Sequence, residues 1–314
     1  MARKLRIQYP GAIYHVINRG NYKSDVFGEP GAAQAFVATL EEAVDRYGWR
    51  LSGYVVMRNH FHLAVQTPEP NLTLGMHWLQ CTFATRFNRL RKENGHLFQG
   101  RYRAILLESN HDLARVVDYI HLNPVRAGLV SPEQAVQFRW SSLNRFYKNQ
   151  RFNGLSTIGW MQSIGLEDST EGWQEYGNRL QRKATVSTES ARAEHTALTS
   201  GWAIGSDTWK ETTLSTQIPD DLATRSPNSG RLSGEILSVK WALRLKQELV
   251  EAGKSQQDVL SARKGADWKV VIANRLQREL GVSIKWIARE LNMGKSGSVR
   301  ANLWKYRKNS HITT

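Results

Sequence analysis

Cysteine occurs once, at Cys81. A single thiol cannot close an intrachain disulfide or build a multi-cysteine zinc site, so a reducing cytoplasm is the expected location. Long apolar runs are missing as well. No stretch approaches the eighteen or so apolar residues of a membrane span, and the opening MARKLRIQYPGAIYH lacks the apolar core of a secretory leader. Acidic residues are scarce: 28 Asp and Glu stand against 43 Lys and Arg, giving a formal charge of +15 and a pI near 10.0. That imbalance favours a polyanionic partner, and with no membrane segment to serve, nucleic acid is the partner expected. Internal repeats and low-complexity tracts are also missing.

What is present suggests about two domains within 314 residues. Residues 1–150 alternate between β and α patterns. AIYHVINRG reads as a strand ending at Gly20, and PGAAQAFVATLEEAVDRYG as a helix with Pro30 early and Gly48 as its stop. WRLSGYVVM and HFHLAVQ read as two strands joined through RNH. A long helix follows with Asn71 as its cap, then the strand GRYRAILLES and the helix SNHDLARVVDYIHLN. This order predicts an α+β domain of ferredoxin-like type, an antiparallel sheet with helices on one face.

Residues 151–235 carry a weaker pattern and read as a partly ordered connector. Pro219 and Pro227 fit a linker, while the tryptophans of GWAIGSDTW argue against full disorder. Residues 236–314 read as a small all-α domain. From residue 240 onward there are 16 Lys and Arg against 6 Asp and Glu. DWKVVIANRLQRELG forms one helix, VSIKWIAREL a second capped by Ser283, and NMGKSG a turn. VRANLWKYRKN forms a last helix capped by Ser298, with Leu303 and Trp304 facing inward. Helix, short glycine-containing turn and basic helix predict a helix-turn-helix, with Lys295, Arg300, Lys305, Arg307 and Lys308 available to DNA.

The chemistry concentrates in two places. His60 and His62 flank Phe61 on a strand, so the two imidazoles share one face and can converge on one metal ion. Some sixty residues on, Leu113, Val116, Val117 and Ile120 define the apolar face of a helix. Tyr119 lies about 120° from the centre of that face, with Asn123 one turn further on the same stripe. Arg115 and Arg126 share that flank. A tyrosine there could attack a phosphate polarised by the ion, and Asn123 could supply an oxygen ligand; because it precedes Pro124, it could equally cap a turn. A site with a neutral oxygen ligand and open positions suits Mg or Mn as well as zinc.

The combination of GAIYHVINRGN, YVVMRNHFHLAV, FQGRYRAILLE and DYIHLNPVRAGLV resembles the HUH single-tyrosine transposases, and more closely their REP-associated tyrosine transposase branch. The resemblance covers roughly residues 5–147. It implies His60 and His62 as metal ligands, Tyr119 as nucleophile and Asn123 as third ligand. It further implies cleavage of single-stranded DNA near hairpins through a 5′-phosphotyrosine, and rejoining with no nucleotide cofactor. Arg19, Arg86, Arg89, Arg101 and Arg103 are the expected phosphate contacts beside that site. His15, His111 and His121 read as structural. The oligomeric expectation is a monomer or homodimer, with flanking duplex DNA as a further partner.

Two other readings compete. A non-catalytic DNA-binding regulator on the same fold has no need of His60, His62 and Tyr119 together. A metal-dependent hydrolase of small phosphoesters has no need of the basic C-terminal quarter.

Overall fold

The computed structural model describes residues 6–218 and 234–310. The chain divides into two compact units, Gln8–Ser206 and a second that combines Met1–Ile7 with Asp207–Thr314.

The first unit is built on β1 (Ala12–Arg19), β2 (Arg50–Val56), β3 (His60–Thr67), β4 (Arg103–Leu107) and a short β5 (Ala203–Ile204). Their order in the sheet is β2-β3-β1-β4-β5. All pairings are antiparallel except β4 with β5. The α+β architecture follows the sequence pattern, but the sheet carries helices on both faces rather than one. The pleat is the reason. Phe61 and its alternates point to α1 (Ala32–Tyr47) and α2 (Leu72–Arg91), where Phe27, Phe36 and Phe98 pack on the Phe61 ring and Phe83 packs on Phe36. His62, opposite Ile17 in the register, points the other way, to α3 (Asn110–Arg126).

Local chemistry sets the ends of these elements. Gly48 takes a left-handed φ of 63° and closes α1. Asn71 stands at the N-cap of α2 without capping it by its side chain. Its amide instead accepts from Trp49 Nε1 and donates to the Tyr47 carbonyl, tying the end of α1 to the start of α2. Ser109 caps α3 through the Asp112 N–H. Helix α3 also runs through Pro124 to Arg126, where a turn was the alternative at the Asn–Pro step.

Residues 151–206 are not a connector. They contain α5 (Thr170–Ala184), α6 (Thr188–Thr199) and β5, after the short α4 (Ser142–Tyr147). Trp160, Trp173 and Tyr176 form an aromatic cluster with Phe146 and the His121 ring. Asp118 of α3 is fully buried and pairs with Arg179 and Lys183 of α5. Trp202 accepts from Leu106 through its backbone carbonyl, which adds β5 to the sheet edge. The flank of α3 that the periodicity leaves polar is therefore covered by the segment that follows. Residues 219–233 of the expected connector lie outside the described residues.

The second unit holds α7 (Asp207–Gln217), α8 (Gly234–Glu251), α9 (Gln256–Ser261), α10 (Asp267–Leu280), α11 (Ile284–Glu290) and α12 (Ser296–Ser310). Leu249, Val259, Ile272, Leu276, Ile287, Leu291, Val299 and Leu303 form its core. Ser283 caps α11 by accepting from the Trp286 N–H. Helix α12 starts two residues before Ser298, which is therefore not its cap. Trp304 is 63% exposed and lies under Lys308 instead of packing inward with Leu303.

The α1–α2 layer makes a sharp demand at Gly75, where an added Cβ would lie 2.1 Å from a ring carbon of buried Trp49. Gly to Ala in an open helix stabilises by about 1 kcal/mol. Here overpacking should win, so Gly75→Ala is expected to destabilise by about 1–3 kcal/mol in urea titration. A gain in stability would show that Trp49 is free to move.

Candidate active site

The sheet presents His15 and His62 to α3 on neighbouring strands. Burial holds the His15 imidazole down to about pKa 4, so it is neutral at pH 7 and carries a single ring proton. That proton sits on Nδ1, which donates to the Leu198 carbonyl at 2.8 Å. His15 Nε2 must then accept, and the atom facing it at 2.9 Å is His62 Nδ1. His62 is therefore the Nδ1–H tautomer, with the Nε2 lone pair left bare. His60 reaches the same state through Asn59, whose side-chain oxygen accepts from its Nδ1 at 2.7 Å. Burial first, then nearby Arg19, lowers the His60 pKa to about 4; burial and the neighbouring His15 and His60 hold His62 well below its ordinary value. Two neutral imidazoles 5.2 Å apart between ring centres thus offer bare Nε2 atoms.

Tyr119 comes from α3 with its ring centre 5.4 Å from that of His62. The sequence places this tyrosine off the apolar face, yet it is 2% exposed, because α6 covers it. Its hydroxyl lies 2.8 Å from His195 Nδ1 on α6. Burial raises its pKa to about 12, while the Arg126 guanidinium, 5.1 Å above the ring, pulls in the opposite direction. Asn123 donates through Nδ2 to the Tyr119 backbone carbonyl at 2.8 Å, which leaves its side-chain oxygen for another partner.

These groups line one cleft of about 560 Å3, with Arg19, Arg101, Arg103, Arg126 and His195 on its walls. Arg126 bonds Glu194 through one amino nitrogen, and its other, buried, has no partner. Arg103 donates to the Thr199 carbonyl, so part of its capacity is spent on fixing α6. Among the described residues, no group of three or more His, Cys, Asp or Glu is arranged to hold a metal. A divalent ion here would depend on His60, His62 and the neutral oxygen of Asn123. The bare Nε2 atoms and the uncommitted amide oxygen fit that role.

Other expected contacts lie elsewhere. Arg86 sits on α2, on the opposite face of the sheet, where a bidentate pair with Glu42 and a bond to Thr39 occupy its guanidinium. Arg89 is exposed on the same helix and does not line the cleft. Arg115 pairs with Asp112 one turn earlier. In the second unit, Arg307 is fastened to Asn274 and Gln277 of α10, whereas Lys295, Arg300, Lys305 and Lys308 are exposed. His111 is exposed, while His121 is buried between Tyr176 and Ser142 and is structural. His15 is structural in a more specific sense, as the group that sets the His62 tautomer. His195 had no signal in the sequence, since it falls in the stretch read as a connector.

Paired imidazoles on a sheet with a helical tyrosine over them are compatible with an enzyme of tyrosine transposase type. Residues 8–123 match the family described as "Transposase IS200 like". A Haemophilus influenzae protein named as a REP-associated tyrosine transposase is 26% identical over 124 residues, spanning 36% of this chain and 69% of that protein. Residues 8–123 of this chain are thus similar to IS200-like transposases, and a REP-associated tyrosine transposase is among the proteins the chain resembles. A solved structure described as a REP-associated tyrosine transposase bound to a REP hairpin aligns with a TM-score of 0.40 at 20% identity. It covers 51% of this chain and 91% of that one, a likeness too loose to transfer residues. No described helix is long and apolar enough to cross a membrane.

The buried imidazoles predict a pH response. His15 and His60 take up protons near pH 4 and His121 near pH 3 when folded, and burial holds His62 well below the 6.5 of an ordinary imidazole. The unfolded chain therefore binds more protons between these values. Stability should be full above about pH 6.5 and fall as pH drops, by up to about 1.4 kcal/mol per unit for each histidine. Urea midpoints in chelator at about pH 7.5, 6 and 5 measure this; midpoints that do not move would show the rings to be solvated.

Proposed function

We propose that this protein cuts and rejoins single-stranded DNA beside hairpins through a covalent bond between Tyr119 and a 5′ phosphate. The observation that carries the reading is the shared cleft. The Tyr119 hydroxyl, the bare edges of His60 and His62, and the unpartnered guanidinium nitrogen of Arg126 all meet there. Arg126 would take one nonbridging phosphate oxygen, with Arg19, Arg101 and Arg103 receiving the strand on either side. A Mg or Mn ion held by His60, His62 and Asn123 would draw charge from the scissile phosphate. Tyr119 would then displace the 3′ oxygen, leaving a 5′-phosphotyrosine and a free 3′ hydroxyl. The link keeps the energy of the phosphodiester, so rejoining would need no nucleotide.

Removing one oxygen tests this directly. Tyr119→Phe should bind labelled hairpin-bearing single strands nearly as tightly as the unaltered protein but form no denaturation-resistant adduct with Mn. A surviving adduct would move the nucleophile elsewhere. His60→Ala and His62→Ala should each lose cleavage and its sensitivity to chelator.

The second unit is proposed to bind flanking duplex through α11, the turn after it and α12. The support is the exposure of Lys295, Arg300, Lys305 and Lys308 around a packed helical core. Each phosphate contact contributes about 0.9 to the slope of log affinity against log salt. Replacing Arg300 and Lys305 with Gln should flatten that slope for duplex DNA by about 1–2. An unchanged slope would assign the electrostatic attraction to the transposase domain and remove the helix-turn-helix reading.

A further inference from the structure

We infer that His195 is a catalytic residue of this transposase, the base that takes the proton from the Tyr119 hydroxyl. The inference rests on Tyr119 being the nucleophile, as proposed above. It adds a group lying 72 residues beyond the end of the family match.

The chemistry creates the need. A phenol buried to 2% exposure, with its pKa raised to about 12, is almost wholly protonated at neutral pH. Its proton must leave as the oxygen attacks, and the acceptor must stand within hydrogen-bond reach. His195 Nδ1 stands there, 2.8 Å from the hydroxyl. His62 is close but committed: its Nδ1 bonds His15, and its Nε2 belongs to the proposed metal site. Burial, then Arg126 and Arg19, keep the His195 imidazole below its ordinary pKa, hence neutral and able to accept.

The placement of His195 is built rather than incidental. Helix α6 is fixed to the site by the Glu194–Arg126 pair, by the Leu198 carbonyl on His15, and by Arg103 on the Thr199 carbonyl. The Leu198 side chain is fully buried. Yet α6 does not fill the cleft. About 560 Å3 remains in front of Tyr119, with His195 as part of the wall. His195 as a whole is exposed, so a proton accepted there can pass to water.

The step balances. As the Tyr119 oxygen forms its bond to phosphorus, its proton moves to His195 Nδ1. The bond from phosphorus to the 3′ oxygen breaks, and that oxygen leaves with the electron pair and takes a proton from water. In rejoining, the 3′ hydroxyl displaces the tyrosine, which recovers its proton. The charged and titratable groups that face this pair are Arg126 on α3, Glu194 on α6, Arg19 and His15 on β1, and His60 and His62 on β3.

The test uses the full chain with Mn and a hairpin-bearing single strand, following adduct formation in a single turnover. His195→Ala and His195→Gln should both fold, since the residue is exposed on a helix; circular dichroism checks this. Both should slow adduct formation roughly 100-fold or more near pH 7, with little change in DNA affinity. The deficit should shrink by about tenfold per pH unit as hydroxide replaces the lost base. Added imidazole should restore the Ala variant. A Gln variant as fast as the unaltered protein, a variant that is faster because α6 acts only as a cover, or a loss that neither pH nor imidazole relieves would each overturn the assignment. An unaltered protein that forms no adduct, or an adduct that survives Tyr119→Phe, would overturn the proposed function and this inference together. Loss of the adduct in Tyr119→Phe with full activity in His195→Gln would overturn this inference alone.

Discussion

The pleat of β3 is the constraint on which the molecule depends. Because neighbouring residues on a strand face opposite ways, one short run serves two layers. Phe61 enters the phenylalanine cluster under α1 and α2, while His60 and His62 face the site. The apolar side gains its stability by burial. The polar side needs partners for every ring nitrogen, because an unpaired polar group in the interior is costly. His15 and Asn59 meet that need, and in doing so fix which nitrogen of each imidazole is bare.

The tautomer of His62 depends on a carbonyl 136 residues away, at Leu198. The site is therefore not confined to the strands and helix that carry its named residues. Helix α6 supplies that carbonyl, the partner of Arg126 and the imidazole on Tyr119. Removal of α6 would leave His15 with a free donor, and Tyr119 and Arg126 open to water. The polar groups around Tyr119 are ordered as one network, so a change in α6 acts on the strands opposite it.

The second unit follows a different logic. Its core is mainly aliphatic, with Trp286 and Met293 in it, and most of its charge lies outside that core. Glu248 is 1% exposed and held by Arg244 and Arg275. Lys269 is buried against the carbonyls of Val259 and Ala262. These groups spend charge on the fold, as Arg307 does on α10, so formal charge overstates what can reach a phosphate. On α12 and the turn before it, the exposed cations are Lys295, Arg300, Lys305 and Lys308.

Periodicity and punctuation alone determined much of this protein. The shared face of His60 and His62, the Gly48 stop, the Ser283 cap and the order of strands and helices in the first 150 residues follow from local rules that need no partner. The α3 pattern also set Tyr119 and Asn123 on one stripe. Only the tertiary structure decided what covers that stripe. Asp118 is held by Arg179 and Lys183, and Tyr119, off the apolar face by helical spacing, is covered by α6. The stretch 151–206 carries only a weak local pattern. It is ordered by contacts with α3 and β4, far away in sequence, and no window along the chain contains them. Trp304 and Arg307 failed for a related reason, since helical spacing gives a face but not which neighbour packs on it. His195 is the clearest case: its chemistry arises only from the 2.8 Å that separates it from a hydroxyl 76 residues earlier.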